Sequence, residues 1–174
     1  MVITEDGNSV VVHLAGVDTV FGDSDLYEHC IDGTLTEINI KSNQHYDFGT
    51  IRKKIIRIKK INKIIYANAG SNLVLINLHT HTRDFPIAIE SLEDKMVVAF
   101  VGDDFHARSL RNNNQTNANE KKNIIAIFSR EKRSEDKYEQ LVYIKNYEYL
   151  RSIYTKFDEV ISVNILKEYD EYNL

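Results

Sequence analysis

Short runs of alternating apolar and polar residues fill the N-terminal part of the chain, a pattern typical of strands. Residues 1–4 and 9–16 are separated by Glu-Asp-Gly-Asn, whose Asp-Gly pair is a turn signal, so they predict a β-hairpin. Residues 24–31 predict a helical turn, and residues 34–41 alternate like a half-exposed strand. Residues 53–70 predict two more strands, joined by Lys-Lys-Ile-Asn-Lys and closed by an Ala-Gly-Ser turn.

The middle of the chain is less uniform. Residues 73–82 are compatible with a strand, from their β-branched content, or with a helix capped by Ser71, and the order of the elements favours the helix. Pro86 is typical of a first helical turn, where its missing N–H costs nothing, so residues 86–95 predict a short helix. Residues 96–104 predict a buried strand, and residues 105–110 are expected to pair back on it.

Polar and apolar blocks alternate on a longer scale towards the C-terminus. Residues 111–122 are polar and of low complexity, which predicts an exposed, mobile loop before a buried strand at 123–129. Residues 134–157 place apolar side chains at helical spacing and predict the longest helix. Residues 159–166 predict a last strand, and residues 168–174 an acidic, frayed tail.

This order of elements predicts an α+β fold, a layered sandwich of β-sheet and helices. The chain length of 174 residues fits a single domain spanning residues 1–174. The longest apolar runs, such as residues 96–101, are too short to span a bilayer, and the N-terminus lacks the pattern of a signal peptide. We therefore expect a soluble, cytoplasmic protein. Its richness in Ile, Asn, Lys and Tyr is typical of a low-GC bacterium or its phage.

Charge and aromatic content bear on the partners. The net charge of −4 predicts that nucleic acid is not a partner, because such binding depends on neutralising phosphates. Residues 52–63 are locally basic, and in the predicted strand Arg57 and Lys59 lie on an outer face that could bind an acidic partner. Tyr143 and Tyr147, on the predicted long helix, could form a protein-binding surface.

Two histidines, His79 and His81, are candidate metal ligands. On a strand, residues i and i+2 share a face and could hold one zinc ion, whereas on a helix they lie about 200° apart. Together with Ser91 and Asp94 they resemble the His-x-His…Ser-x-x-Asp motif of the JAB/JAMM metallopeptidases. That resemblance implies a zinc-dependent hydrolase with Glu37 as the upstream acid, although the spacer before the serine is longer than usual.

Three further residues, Asp84, Glu93 and Lys95, match the Asp…Glu-x-Lys pattern of magnesium-dependent nucleases. In that pattern the acidic motif lies within a strand. Here it precedes the strand predicted from residue 96, so the sequence gives this alternative little support.

The order of motifs along the chain resembles proteasome β-type subunits and other Ntn hydrolases. The segments Ser-Val-Val-Val-His-Leu-Ala-Gly-Val-Asp-Thr, the Lys-Lys-apolar strand, the Gly-Asp-Asp turn and the strand ending at Ser129 follow that order. The resemblance implies an αββα layering, with Asp18, Lys54 and Ser129 in site positions. An N-terminal nucleophile would be required, and Thr4, preceded by three residues, is the nearest candidate, so this copy is expected to be inactive or unprocessed.

Two hypotheses follow. The first is a non-catalytic protein on a proteasome-subunit-like fold, without a cofactor, which binds a protein partner or self-assembles. The second is a small zinc-dependent hydrolase that uses His79, His81 and Asp94. The conformation of residues 73–82 is the observation that separates them.

Overall fold

The computed structural model describes residues 1–12, 20–21, 24–36, 47–66, 69–101, 106–130 and 137–172. The strands in these residues are β1 (Val2–Thr4), β2 (Ser9–Val10), β3 (Val20–Phe21), β4 (Ser24–Asp25), β5 (Asn72–His79), β6 (Asp84–Ser91), β7 (Met96–Val101), β8 (His106–Asn112), β9 (Asn117–Ser129) and β10 (Gln140–Ile144). The helices are α1 (Leu26–Ile31), α2 (Phe48–Ile58), α3 (Ile61–Tyr66), α4 (Glu148–Phe157) and α5 (Asn164–Tyr172), with short 3-10 turns at Ala69–Ser71 and Asn113–Gln115.

Eight of the described strands form one antiparallel sheet in the order β2-β1-β9-β5-β6-β7-β8, and β10 also pairs with β9. The first half of β9 pairs with β5, from Asn117 opposite His79 to Asn123 opposite Leu73. Its second half pairs with β1 on one side and β10 on the other. The chain is therefore a single-domain α+β protein, as the sequence predicted, while the Ntn-like layering is not confirmed.

The sheet has two different faces. One face packs against α1, α2 and α3, and the side chains that form this core come from helices and strands alike: Leu26, Ile51, Ile58, Ile61, Ile64, Ile65, Val74, Ile89, Met96, Val98, Phe100 and Leu110. The opposite face, called the distal face below, has an apolar cluster whose buried members come only from strands: Leu75, Leu78, Phe85, Ala88, Val97 and Ala99. A third cluster lies between α4, α5 and the second half of β9.

The prediction of two strands at 53–70 is wrong, because helical spacing governs this segment. Ile51, Ile55 and Ile58 lie on one side of α2, where Ile51 and Ile58 are buried. Asp47 caps the helix by accepting a hydrogen bond from the backbone N–H of Thr50 at 3.0 Å. The alternation at Ile56 and Ile58 that had indicated a strand involves one exposed and one buried residue of the helix.

Two further predicted elements are wrong, the helix at 86–95 and the loop at 111–122, and the open question at 73–82 is resolved. Pro86 lies inside β6 rather than at the start of a helix, and the segment 73–82 is a strand as far as His79. The loop predicted at 111–122 includes the start of β9, whose polar side chains bond to neighbours, as Lys122 does to Asp6 at 2.7 Å. Pairing with a neighbouring strand thus satisfies a polar segment that composition alone assigned to a loop.

The long helix predicted at 134–157 divides into β10 and the shorter helix α4. The last strand predicted at 159–166 is reduced to an isolated bridge between Ile161 and Tyr138, after which the chain enters α5. Helix α5 reaches Tyr172, so most of the predicted tail is helical. Residues 37–41 of the strand predicted at 34–41 lie outside the described residues, and residues 34–36 belong to no helix or strand.

The first hairpin, the helical turn at α1, and the strands β7, β8 and the end of β9 are confirmed. Among the helices of the described residues, none combines the length and apolar character needed to cross a membrane.

Asn77 changes the direction of side chains in the β5–β6 hairpin. Its φ is 50°, in the left-handed region, and the residues on either side no longer alternate regularly between faces. As a result Leu75 and Leu78, three residues apart, both lie on the distal face. Beyond this point the side chains of β5 lie on the opposite face from the one that strict alternation from Leu75 would give.

We predict that Asn77→Ala lowers the free energy of unfolding by about 1 kcal/mol, because alanine tolerates a left-handed backbone poorly. Asn77→Gly also removes the side chain but accepts this backbone, so it should be at least as stable as the wild type. Urea unfolding of the three proteins measures the difference. Equal midpoints for the alanine and glycine variants would show that the backbone at this residue carries no such cost.

Candidate active site

The turn between β5 and β6 is closed by the hydroxyl of Thr80. This group donates a hydrogen bond to the backbone oxygen of Arg83 at 2.7 Å and accepts from the N–H of Arg83 at 3.3 Å and of Thr82 at 3.4 Å. These bonds fix the backbone of the turn. The side chains of His81, Thr82 and Arg83 are left exposed at one end of the sheet.

His79, the last residue of β5, lies between two oxygen acceptors. Its Nδ1 is 3.0 Å from Oδ1 of Asp84, its partner on β6, and its Nε2 is 3.1 Å from Oδ1 of Asn119 on β9. The hydrogen bond to Asp84, followed by that to Asn119, raises the pKa of His79 above its ordinary value of 6.5. His79 is 46% exposed, so its imidazole ring is open to a ligand.

Two guanidinium groups lie against the ring of Phe85. The Cζ atoms of Arg83 and Arg111 are 5.1 and 6.0 Å from the ring centroid, within the range of cation–π attraction. Arg111 also donates to Thr82 Oγ1 at 2.6 Å and to Ser109 Oγ at 3.0 Å. Strand β8 is thereby tied to the β5–β6 turn, and two planar cations that suit a phosphate group lie at one end of the distal face.

An acidic residue lies deeper on the same face. Glu90 is 5% exposed at its side chain, and its Oε2 accepts a hydrogen bond from Lys121 Nζ at 2.9 Å. Glu90 pairs with Val97 across β6 and β7, and Val97 pairs with Arg111 across β7 and β8. Two strand spacings, about 10 Å, therefore separate the backbones of Glu90 and Arg111. The distal face thus has a carboxylate between cations on either side.

The residues of the metal hypothesis are not brought together. Strand β5 ends at His79, so His81 lies in the turn and not on a shared strand face. Asp94 follows the far end of β6, on the order of 25 Å along the strand, where it accepts from Lys60 at 2.7 Å. Glu37 lies outside the described residues. Among the residues that the structure does describe, no group of three or more His, Cys, Asp or Glu side chains could hold a metal ion.

The residues taken from the Ntn resemblance are also dispersed. Thr4 is buried in β1, and its single hydroxyl hydrogen is shared between Asp6 Oδ1 and the backbone oxygen of Asn8, within the first hairpin. Lys54 lies on helix α2, where the resemblance requires a strand. Ser129 ends β9 and donates to a side chain of β10 at 3.0 Å, while Asp18 lies outside the described residues.

The basic residues proposed for binding are on a helix instead of a strand. Arg57 of α2 donates to the backbone oxygen of Leu110 at 3.3 Å and to Oδ1 of Asn112 at 2.6 Å, and so contacts strand β8. Lys59 is exposed just after the helix.

The two tyrosines differ in their surroundings. Tyr143 lies on β10 and packs on the core, with its hydroxyl only 2.8 Å from the point where a Cβ on Gly70 would lie. Tyr147 is 51% exposed and stacks on Tyr169 of α5, with ring centroids 5.0 Å apart. Of these two side chains, Tyr147 is the one available at the surface.

Sequence reasoning missed most of the distal-face residues. Arg83, Phe85 and Arg111 are separated by up to 28 positions, and only the strand register brings them together. Glu90 and Lys121 lie on strands separated by β5. The alternation of residues in β6 was a usable signal. If this segment had been predicted as a strand, the alternation would have placed Glu90 on the same face as Ala88.

One family profile matches the chain over residues 7–147, which is most of its length. The family is PBECR4, described as "phage-Barnase-EndoU-ColicinE5/D-RelE like nuclease4". No curated protein and no solved structure matches the chain significantly.

This match corrects several predictions. The family is neither a proteasome-like Ntn family nor a JAB/JAMM family, so both resemblances are wrong. A nuclease family also conflicts with a non-catalytic binding or self-assembling protein and with a metal-dependent peptidase. It contradicts the inference from net charge that nucleic acid is not a partner.

We predict that Asp84→Asn shifts the titration of His79 to lower pH, because the largest cause of its raised pKa is the bond to Asp84. The change is measured from the imidazole resonances in a series of NMR spectra. Asp94→Asn, which alters a carboxylate at the other end of β6, is the control and should leave the titration of His79 unchanged.

The same pair links pH to stability. Because the pKa of His79 is raised in the folded state, the His79–Asp84 pair contributes to the free energy of unfolding below the ordinary pKa of 6.5. This contribution is lost as the pH rises through the raised pKa. The stability difference between wild type and Asp84→Asn should therefore shrink with rising pH across that window. A difference that stays constant there would contradict the pairing.

Proposed function

Because the chain belongs to the PBECR4 nuclease family, we propose that it cleaves phosphodiester bonds of RNA beside the β5–β6 turn, where His79, Arg83 and Arg111 lie. The family match is the observation that carries the proposal. The geometry supports this location, since two guanidinium groups and an exposed histidine with a carboxylate partner lie on or beside one turn.

The two arginines fit the phosphate. Each guanidinium offers planar donors that match the non-bridging oxygens, and each is an unchanging positive charge. Phe85 beneath them is 1% exposed and restricts where the guanidinium groups can lie. Charge that develops on the phosphoryl oxygens during cleavage is stabilised most by donors that are already oriented.

His79 fits the role of general acid. Its raised pKa keeps the ring protonated towards neutral pH, and a proton donor is needed at the oxygen that leaves phosphorus. Asp84 acts as a positioning residue, because it holds the ring through Nδ1. To donate its proton from Nε2, His79 exchanges the hydrogen bond to Asn119 for one to the substrate.

RNA is the favoured substrate because it contains its own nucleophile. The 2′-oxygen forms a bond to phosphorus as the bond to the 5′-oxygen breaks. The 2′-hydroxyl proton leaves to water, and the proton of His79 goes to the 5′-oxygen. The products are a 2′,3′-cyclic phosphate and a 5′-hydroxyl, so atoms and charges balance. The cationic and acid–base groups beside the β5–β6 turn suit such a step.

We predict that His79→Ala lowers kcat for cleavage of a fluorogenic RNA oligonucleotide by about 100-fold or more, the usual contribution of a general acid. His81→Ala, which removes the exposed histidine of the β5–β6 turn two residues away, is the matched control and should remain close to wild type. The assay records kcat and KM together with the melting temperature of each variant.

Arg111→Lys and Arg83→Lys keep the charge but not the planar donors, and we expect each to lower kcat/KM by about tenfold or more.

The activity of Asp84→Asn should begin to decline at a lower pH than that of the wild type, because activity falls as the general acid loses its proton. If a folded His79→Ala protein cleaved RNA as fast as His81→Ala, the assigned site would be wrong. Cleavage of DNA of the same sequence at an equal rate would refute the role of the 2′-hydroxyl.

A further inference from the structure

Helices α2 and α3 carry an unusual charge for an acidic protein. Between residues 48 and 66 there are seven basic residues and no acidic one, although the whole chain has a net charge of −4. The remainder of the chain therefore accounts for all of the negative charge. Such segregation creates a local positive field that attracts anions even when the net charge is negative.

The basic side chains lie on the surface together with aromatic rings. Arg52 and Lys59 follow Phe48 at helical spacing on one side of α2, and Lys63 and Tyr66 are three residues apart on α3. Phe48 is 63% exposed and Tyr66 is 65% exposed, high values for large apolar rings. The name basic–aromatic surface is used for these side chains: Phe48, Arg52, Lys53, Lys59, Lys63 and Tyr66.

The charges of this surface are not neutralised within the described part of the chain. Arg52, Lys53, Lys59 and Lys63 are exposed, and none of them forms an ion pair with a described carboxylate. By contrast, Lys60 lies just beyond α2 and pairs with Asp94 at 2.7 Å.

Arg57 connects this surface to the candidate active site. It extends from α2 to strand β8, where it bonds to the backbone of Leu110 and the side chain of Asn112. Arg111, which lies between those two residues, is one of the arginines against Phe85. Burial and then the positive charge of Arg111 lower the pKa of Arg57, as expected for two neighbouring cations. Positive charge thus continues from α2 across β8.

We propose that the basic–aromatic surface binds single-stranded RNA and guides it across β8 to the site at His79, Arg83 and Arg111. This inference rests on the proposed function and adds the form of the substrate and its second binding surface. Lysine and arginine side chains neutralise phosphates, and exposed rings stack on unpaired bases. An acidic protein would use the charges but would have no need of stacking, and a duplex offers no unpaired bases.

The binding test uses a 20-nucleotide 2′-O-methyl RNA with a fluorescent label, which cannot be cleaved through a 2′-hydroxyl. Anisotropy is measured with the full chain at several salt concentrations. The test variant replaces Arg52, Lys53, Lys59 and Lys63 with Gln. The control variant replaces four exposed basic residues of other elements with Gln: Lys95, Lys145, Arg151 and Lys167.

We expect the test variant to bind on the order of tenfold more weakly or worse at low salt. Each phosphate contact on a single strand contributes roughly 0.7 to the slope of log affinity against log salt. Loss of four such contacts should therefore lower the magnitude of this slope by about 3. The control variant should retain most of the wild-type affinity and slope. Equal losses in the two variants would overturn the proposal, because only total charge would then matter.

The aromatic rings are tested by Phe48→Leu and Tyr66→Leu, which keep apolar side chains but remove stacking. We expect each to weaken binding by about tenfold while leaving the salt slope unchanged. No loss in either variant, or equal affinity for single-stranded and duplex RNA, would refute single-strand recognition.

Two further outcomes would overturn the proposal in favour of another occupant. If poly-glutamate competed as strongly as RNA, the surface would bind an acidic protein. If the test variant lost self-association, the surface would bind a second copy of the chain.

Cleavage assays separate this inference from the proposed function. A dinucleoside monophosphate has a single phosphodiester and cannot occupy both surfaces, so the test variant should cleave it like the wild type. With the 20-nucleotide RNA the same variant should show a raised KM and an unchanged kcat. An unchanged KM would overturn the second surface while leaving the nuclease intact. Binding that depends on the basic–aromatic surface without any cleavage would instead overturn the proposed function.

Discussion

The pairing of strand β9 is the constraint on which the rest of the structure depends. Its first half completes the sheet against β5, and its second half is hydrogen-bonded to β1 on one side and β10 on the other. The N-terminal hairpin and the C-terminal elements are therefore attached to the same strand as the central sheet. The register of β9 also places Asn119 beside His79 and Lys121 beside Glu90. A slip of one residue would turn these side chains to the other face.

The proposed nuclease and its negative net charge are compatible because charge is distributed unevenly. Cations are concentrated on α2, on the end of β8 and on the β5–β6 turn, and carboxylates elsewhere give the chain its overall sign. Net charge describes solubility and non-specific attraction, whereas binding at a site depends on the local field. The prediction against nucleic acid failed because it used the sum of the charges in place of their positions.

The sequence predicted the α+β class, the first hairpin and the buried strands, since these depend on local patterns. It failed where tertiary contacts overrode a local signal. Pro86 is tolerated inside β6, and the polar start of β9 is a strand because β5 supplies partners for its backbone. At the candidate site, the sequence singled out His79 as a metal ligand, whereas the site proposed above uses it as a general acid. Its partners Asp84 and Asn119 could not be assigned without knowing which strands are neighbours.

The position of Arg57 affects whether another strand can add to the edge of the sheet. Strand β8 is the last strand on its side of the sheet in the described part of the chain, and such an edge offers hydrogen-bonding groups to any extended segment. The guanidinium of Arg57 donates a hydrogen bond to the backbone oxygen of Leu110 on that strand. An incoming strand would have to break this bond and bury a charge beside Arg111. Arg57 thus disfavours strand addition at this point of the edge.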